Sequence, residues 1–398
     1  MENIRTLRRE ELDESITLSC FAFQYEVSPE EREERKKRMN PDRIWGYFVD
    51  DKMAAKMHIH DMRMYVQGKP LRMGGVASVA TWPEHRRGGM VAKLLERGLR
   101  EMKEDGQTLS CLHPFSIPFY RKYGWELYTD YKTYELKAEQ LPQPVHTQGR
   151  IQRADRDWAL LDNVYRQYAG GYNGTLVRDE AWWQHTVFKQ KGGQAAVYYD
   201  DAGEPRGYIL YKVKNSVLDI GEMAFLDESA RKGLWRFISN HDSMCDTVRL
   251  QAPADDGLPF LLPDPRIVQQ TVPYFMARIV DFQAFASQYG FAASGSEEGP
   301  LFVRIEDRHA PWNDRLFRLI VDESGQASVE SLDGQAQARE EQSASVLTCG
   351  IGALTAIMMG YKRPAFLHQT GLLTGSAETI ERWERTVPRR SSYFPDYY

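Results

Sequence analysis

The sequence predicts an α+β fold built as several layered units, and three observations carry the prediction. At 398 residues the chain exceeds what one hydrophobic core organises, so two or three domains are expected. Its apolar spacing switches between three to four residues, as in helices, and two, as in strands. The order helix, strand meander, helix and strand found within residues 1–145 returns within 146–284, and a different α+β pattern fills 285–398.

Residues 1–40 read as helical. REELDESITLSCFAF spaces its apolar residues by three and four, and Ser28 followed by Pro29 is a good helix start. IWGYFVDDKMAAKMHIHDMRMYV alternates as strand, QGKP turns it at Gly68 and Pro70, and LRMGGVASVAT continues as the next strand. A helix is expected from Arg86 to Lys103, a strand in TLSCLHP, and a short helix in FYRKYG closed by Gly124.

KAEQLPQPVHTQGR, rich in Gln and Pro, reads as a linker. Beyond it come a Trp-rich helix in DEAWWQHTVFKQ, strands in QAAVYYDD and PRGYILYKVKNSVLDIGEMAF, and another helix. Laying VATWPEHRRGGMVAKLL over MAFLDESARKGLWRFI pairs Glu84 with Glu228, Arg87 with Arg231 and Gly89 with Gly233. Duplication explains this, with chance similarity of two strand-to-helix turns as the alternative. In the last segment, PLFVRIEDRHAPWNDRLFRLIVDESGQASVESLDG reads as two strands and a turn. SASVLTCGIGALTAIMMG and SAETIERWERTV read as helices. The final SSYFPDYY is aromatic where chain ends are usually frayed and polar, so the tail is either docked or engaged in chemistry.

Composition narrows the function. A net charge of −5 disfavours nucleic acid or an anionic membrane as a partner, and weakly favours a cationic or neutral small substrate. The start is charged from the second residue, which speaks against a secretory signal, and no run reaches the roughly 18 apolar residues of a membrane span. Cys20, Cys111, Cys245 and Cys349 lie far apart, as for reduced thiols, so a cytoplasmic location is expected. HIH and CLH each supply only two ligand types, which is poor evidence for a metal, and none is expected. EEREERKKRM reads as a solvated helix face with i,i+4 pairs; lining a substrate mouth with acid is the alternative.

The segment that carries chemistry is GGVASVATWPEHRRGGMVAKLLERGL. A strand ends near Thr81, a loop holds two arginines and two glycines, and an amphipathic helix follows at once. A helix N-terminus exposes unpaired N–H groups and the positive end of a dipole, which together attract phosphate. Gly88 and Gly89 let backbone approach an anion, and Arg86 and Arg87 add charge-assisted donors. The bland alternative is a helix cap with two solvated arginines.

Downstream, FSIPFYRKYGWELY supplies the context. Together the two segments resemble the GNAT acetyltransferase superfamily. Its acetyl-CoA loop runs Gln or Arg, two residues, Gly, one residue, Gly or Ala; here Arg86-Arg87-Gly88-Gly89-Met90-Val91 meets it, with Val91 replacing the small last residue. Its later signature is met by Phe119-Tyr120-Arg121-Lys122-Tyr123-Gly124-Trp125. The tandem plan and the last segment resemble the Eis (enhanced intracellular survival) family over essentially the whole chain. That implies an active GNAT domain in 1–145, a degenerate GNAT-like domain in 146–284 and a sterol-carrier-protein-like domain in 285–398.

The resemblance also implies roles. Val79, Ala80 and Thr81 would hold the pantetheine arm of acetyl-CoA. Arg86, Arg87, Gly88, Gly89, Met90, Val91 and Ala92 would hold its pyrophosphate, and Phe115 and Ser116 would complete the contacts. Tyr120 would protonate the departing thiolate, since a phenol of pKa about 10 can donate to a thiol near 8.5. The terminal carboxylate of Tyr398 would act as base. Ala230, Lys232 and Trp235 stand against a second pyrophosphate site, with Trp235 expected to crowd it. The acceptor implied is an amino group of a small polyamine such as an aminoglycoside, and the assembly a homo-hexamer. Protein-lysine or metabolite-amine acetylation, and non-catalytic binding of acetyl-CoA or lipid, remain alternatives.

Overall fold

In the computed structural model, residues 3–143, 145, 147–293, 299–333 and 346–398 are described. The first unit contains strands β1 (Asn3–Thr6), β2 (Ile44–Val49), β3 (Lys52–Val66), β4 (Lys69–Thr81), β5 (Leu109–Leu112) and β6 (Glu126–Leu127). Its helices are α1 (Leu12–Phe23), α2 (Pro29–Arg38), α3 (Met90–Glu104) and α4 (Ile117–Arg121). Residues 1–40 are therefore not all helical: β1 pairs antiparallel with β2 at the sheet edge. The long alternating stretch is also two strands rather than one. Asp50 and Asp51, both at positive φ, make a two-residue turn between β2 and β3, and Gln67 and Gly68 make the next between β3 and β4.

The second unit has strands β7 (Asp130–Lys137), β8 (Arg150–Ala154), β9 (Gln194–Tyr199), β10 (Pro205–Lys214), β11 (Val217–Phe225), β12 (Thr247–Pro253) and β13 (Val268–Pro273). They form a sheet in the order β13-β7-β12-β11-β10-β9-β8. α5 (Trp158–Ala169) and α6 (Glu228–Ser239) both pack on β10 and β11. The following strand, β14 (Met276–Ile279), does not stay there. It inserts between β5 and β6, so the first sheet reads β1-β2-β3-β4-β5-β14-β6.

The third unit is a five-stranded sheet, with α7 (Phe282–Gln288) leading into it. Its strands are β15 (Leu301–Glu306), β16 (Leu316–Val321), β17 (Ala327–Leu332), β18 (Val346–Gly350) and β19 (Leu373–Thr374). Two strands were expected before the helices; three are present, and Val346–Gly350 is strand rather than the start of a helix. The β-branched and apolar residues of VLTCG sit beside β15 in a parallel pair, where tertiary pairing overrides helix propensity. Residues 343–345 of the expected helix lie outside the described residues. Ile351–Met358 is α8, buried nearly throughout as its composition required.

One apolar cluster runs from Met64, Leu71 and Cys111 of the first sheet through Phe275 and Phe282 to Leu354 and Trp383 of the third unit. The opposite face of the first sheet packs Met57, Ile59 and Val76 against Leu94, Leu95 and Leu99 of α3. The sheet is thus covered on both faces, and the opening left to a ligand lies at the ends of its strands.

Candidate functional site

β4 and β5 pair in parallel only from Met73↔Leu109 to Val76↔Leu112. Beyond that point β4 runs on to Thr81, still bonded to β3, while β5 has ended. A bulge marks the parting: Met57 faces both Ser78 and Val79, and Ser78 sits at φ 51. The strands splay, and a groove of about 580 Å³ opens between them.

The groove is lined by Val79, Ala80, Thr81, Arg86, Arg87, Gly89, Met90, Val91, Ala92 and Phe115 among the sequence-predicted residues. His85, Phe119, Tyr123, Ala22 and Phe23 also line it, and no acidic side chain among the described residues contributes. α3 opens at Gly89, φ 75, without any side-chain cap, so its first N–H groups face the groove unclaimed by a neighbouring hydroxyl or carboxylate. A Cβ at Gly89 would meet nothing within 4 Å, because it would point into the open groove. Arg86 donates through Nε to the Thr81 carbonyl at 3.4 Å, while Arg87 is exposed at φ 66. Neither arginine has a carboxylate partner among the described residues. Thr81 Oγ1 is buried without a hydrogen-bond partner among them. Uncapped N–H groups, two arginines and an idle hydroxyl suit an anion with a polar tail.

Gly88 and Ser116 do not line this groove, and neither does Tyr120. Tyr120 is 2% exposed and forms the next layer, its ring 5.3 Å from Phe115, 5.2 Å from Phe119 and 6.4 Å from Trp125. Burial pushes its phenol well above the usual value, so it holds its proton throughout the neutral range. Phe115, by contrast, is 69% exposed at the groove mouth.

A second cavity, about 620 Å³, shares α1 and β4 with the groove as walls. Sequence reasoning did not assign it. Ile16 and Ser19 of α1, Lys56, His58 and His60 of β3, and Ser78 of β4 face it, as do Arg35 and Arg38 of α2. The helix in EEREERKKRM therefore brings bases rather than acids to the mouth. Glu33 and Glu34 are drawn off by Lys36 and Lys37 on the solvated side. The His58 and His60 rings lie against each other, tilted by 39° with centroids 3.8 Å apart. Burial draws His60 down to about 4, and burial together with the neighbouring His60, Lys56 and Arg43 holds His58 well below its usual value, so both are neutral imidazoles at pH 7. Among the described residues no three His, Cys, Asp or Glu side chains form a metal-holding group.

Tyr398 lies against this region from the other side. Its ring stands edge-on to His60 with centroids 5.8 Å apart, its hydroxyl donates to the Cys111 carbonyl at 2.8 Å, and a Cβ on Gly75 would touch the ring at 3.0 Å. Aromatic burial alone does not fix the tail. Tyr397 is 46% exposed, and the anchor is Asp396, which no sequence signal had singled out. Its carboxylate accepts from Arg178 Nε at 3.1 Å and from Trp182 Nε1 at 3.0 Å. Arg178 in turn donates two hydrogen bonds to Glu222, at 2.8 and 2.7 Å, and lies over the faces of Tyr165 and Trp183. An acid within an aromatic tail was the available hint.

The second unit parts in the same way: β11 and β12 pair from Val217↔Thr247 only to Ile220↔Leu250. Yet Leu226 and Asp227 alone join β11 to α6, whereas Trp82–Gly89 joins β4 to α3. The loop is missing, so Gly233 is not the counterpart of Gly89; it lies inside α6, where Tyr198 fills the space a Cβ would need. Trp235 does not crowd a phosphate as expected, because it is buried in the core. What closes the site is Asp227, whose carboxylate accepts from the Ala230 N–H at 2.8 Å at the helix start. Asp227→Ala is expected to cost about 1 kcal/mol of stability in denaturant unfolding, while acetyl-CoA titration of the whole chain stays unchanged.

Comparison with known proteins agrees with this architecture. Residues 3–128 match one family described as an acetyltransferase (GNAT) domain, residues 174–279 match another of the same description, and residues 282–395 match a sterol carrier protein domain. The chain is an Eis-like GNAT acetyltransferase. It is 25% identical over 362 residues to an uncharacterized N-acetyltransferase of Streptomyces coelicolor, covering 83% of this chain and 85% of that one. It is 22% identical over 324 residues to the N-acetyltransferase Eis of Mycobacterium tuberculosis, covering 77% and 76%. A probable N-acyltransferase from Enterococcus faecalis has the same fold along the full length of both chains, with a TM-score of 0.90 and 27% identity. Eis1 from Mycobacterium abscessus shares the fold as completely, at a TM-score of 0.81 and 18% identity. In this Eis-like chain the first GNAT unit alone keeps the loop between strand and helix.

Proposed function

We propose that the chain transfers the acetyl group of acetyl-CoA directly to the amino group of a small molecule. The observation that carries this reading is the uncapped start of α3, set beside Arg86, Arg87 and a groove free of acidic lining. That donor set suits a pyrophosphate. The free edge of β4 from Val79 to Thr81, with its idle threonine hydroxyl, suits the amides of a pantetheine arm. The acceptor nitrogen attacks the thioester carbonyl carbon and the carbon–sulfur bond breaks. The nitrogen loses one proton and the leaving thiolate gains one. Tyr120, kept protonated by burial, is the proposed donor. In keeping with the Eis resemblance, the Tyr398 carboxylate is the proposed acceptor of the amine proton, and the ordered contacts of its ring beside His60 support that place.

The same resemblance proposes a hexamer, a cytoplasmic location and an aminoglycoside acceptor, the last of which does not suit the basic lining of the second cavity. An acetyl-CoA consumption assay across a panel of amines tests the reaction; no turnover above the hydrolytic background with any amine would remove the reading. Gly89→Val is expected to raise the KM for acetyl-CoA by about tenfold, because it places a side chain in the groove and strains a left-handed residue. A KM unchanged in that variant would place the pyrophosphate elsewhere.

A further inference from the structure

The charge of the second cavity identifies the kind of acceptor. Arg35, Arg38, Arg43 and Lys56 face it, and Asp61 is the acid among its lining. Asp61 is already engaged by Arg72 at 3.1 Å and by the Gln107 amide at 2.9 Å. Arg43 is paired with Asp105. Arg35 contacts the Tyr25 hydroxyl at 3.1 Å, and Arg38 contacts the Glu34 carbonyl at 3.2 Å; neither meets a carboxylate among the described residues.

Lys56 is the least ordinary of the four. It is 2% exposed, yet its ammonium nitrogen contacts the Ser15 and Ser19 hydroxyls, at 2.9 and 2.6 Å, and no acid among the described residues. Burial of an amine without a counter-charge costs stability, and here it draws the group down to about 7. A fold that keeps such a residue beside two unpaired arginines presents a site made for a negative charge.

Building on the acetyl-transfer reading of the adjoining groove, we propose that this cavity receives the acceptor, and that the acceptor is an amine bearing a carboxylate or phosphate held by Arg35, Arg38 and Lys56. The shared walls α1 and β4 set the anion in one cavity while the amine of the same molecule reaches past Ser78 toward the groove. A polycation such as an aminoglycoside would bring its ammoniums against two arginines and a half-protonated lysine that meet no acid among the described residues. The chain's net negative charge is no guide here, because the acids lie elsewhere.

Calorimetric titration of the full chain saturated with CoA tests this, using matched probes: glucosamine 6-phosphate against glucosamine, phenylalanine against phenylalaninamide, and kanamycin as the polycation. In at least one pair the anionic probe is expected to bind about tenfold or more tighter than its uncharged-arm mate, and which pair responds separates phosphate from carboxylate. Arg35→Gln, Arg38→Gln and Lys56→Met should each reduce that preference, leave the Kd of acetyl-CoA unchanged and, for Lys56→Met, raise Tm. No preference in either pair, or kanamycin as the tightest probe, would overturn the proposal. Anionic preference without turnover of any amine would instead remove the transfer reading while leaving the anion site in place.

Discussion

Tyr120→Phe is expected to lower kcat by about a hundredfold or more, while the Kd for acetyl-CoA changes little, because general acid assistance is commonly worth a factor of 10² to 10⁴. The ring is held on three sides by Phe115, Phe119 and Trp125, so removal of the hydroxyl leaves the packing intact. No hydrogen bond to that hydroxyl is present among the described residues, so the substitution breaks no structural contact there. Single-turnover kinetics with an active amine would separate the chemical step from product release. A kcat within a factor of two of wild type would exclude Tyr120 as the proton donor.

Arg178→Met is expected to produce the largest loss of stability, about 3–5 kcal/mol, since it leaves the buried carboxylates of Asp396 and Glu222 without the guanidinium they share. Burial alone would push the Glu222 carboxyl up; the Arg178 guanidinium and the Lys191 ammonium more than reverse this and hold it well below the usual range. A carboxyl with a lowered folded-state pKa adds stability that is full above its unfolded value, about 4.5, and is lost as pH falls below it. Wild type should therefore lose this contribution on acidification, and the gap between wild type and Arg178→Met should narrow below about pH 4.5. Denaturant unfolding at pH 7 and pH 4 measures both. Because Arg178 also holds Asp396, the variant should lose acetyl transfer at temperatures where it is still folded; full activity there would show that the tail needs no anchor.

The parts of this architecture legible in the sequence are those written locally. Arg86 to Ala92 and Phe119 to Trp125 are contiguous, and their glycines and aromatics carry their own geometry, so much of the groove lining could be named before any coordinates, although Gly88, Ser116 and Tyr120 stand off it and Ala22 and Phe23 of α1 were missed. The Arg178–Asp396–Glu222 network could not be, because its members are far apart in the chain and meet only after the sheets have formed. The same holds for the second cavity. Arg35 and Arg38 are one face of a helix whose charge pattern looks balanced in one dimension; Glu33 and Glu34 are paired with Lys36 and Lys37 on the other face. The error over Trp235 was one of register. Aligning glycine with glycine hid the missing loop, which moved the indole from the helix mouth to the core.

The placement of β14 has a consequence for how the protein comes into being during synthesis. The first sheet is complete only when Met276–Ile279 bonds to Leu109–Leu112, so the strand bearing its last central pairing leaves the ribosome long after residues 1–127 have emerged. Until then the exposed edge of β5 offers a ready template for the wrong partner. Contacts closed across so long a stretch of chain make for slow folding. Expressed by themselves, residues 1–145 should therefore be prone to aggregate, and supplying the remainder as a second polypeptide should rescue them only if it reaches that edge first.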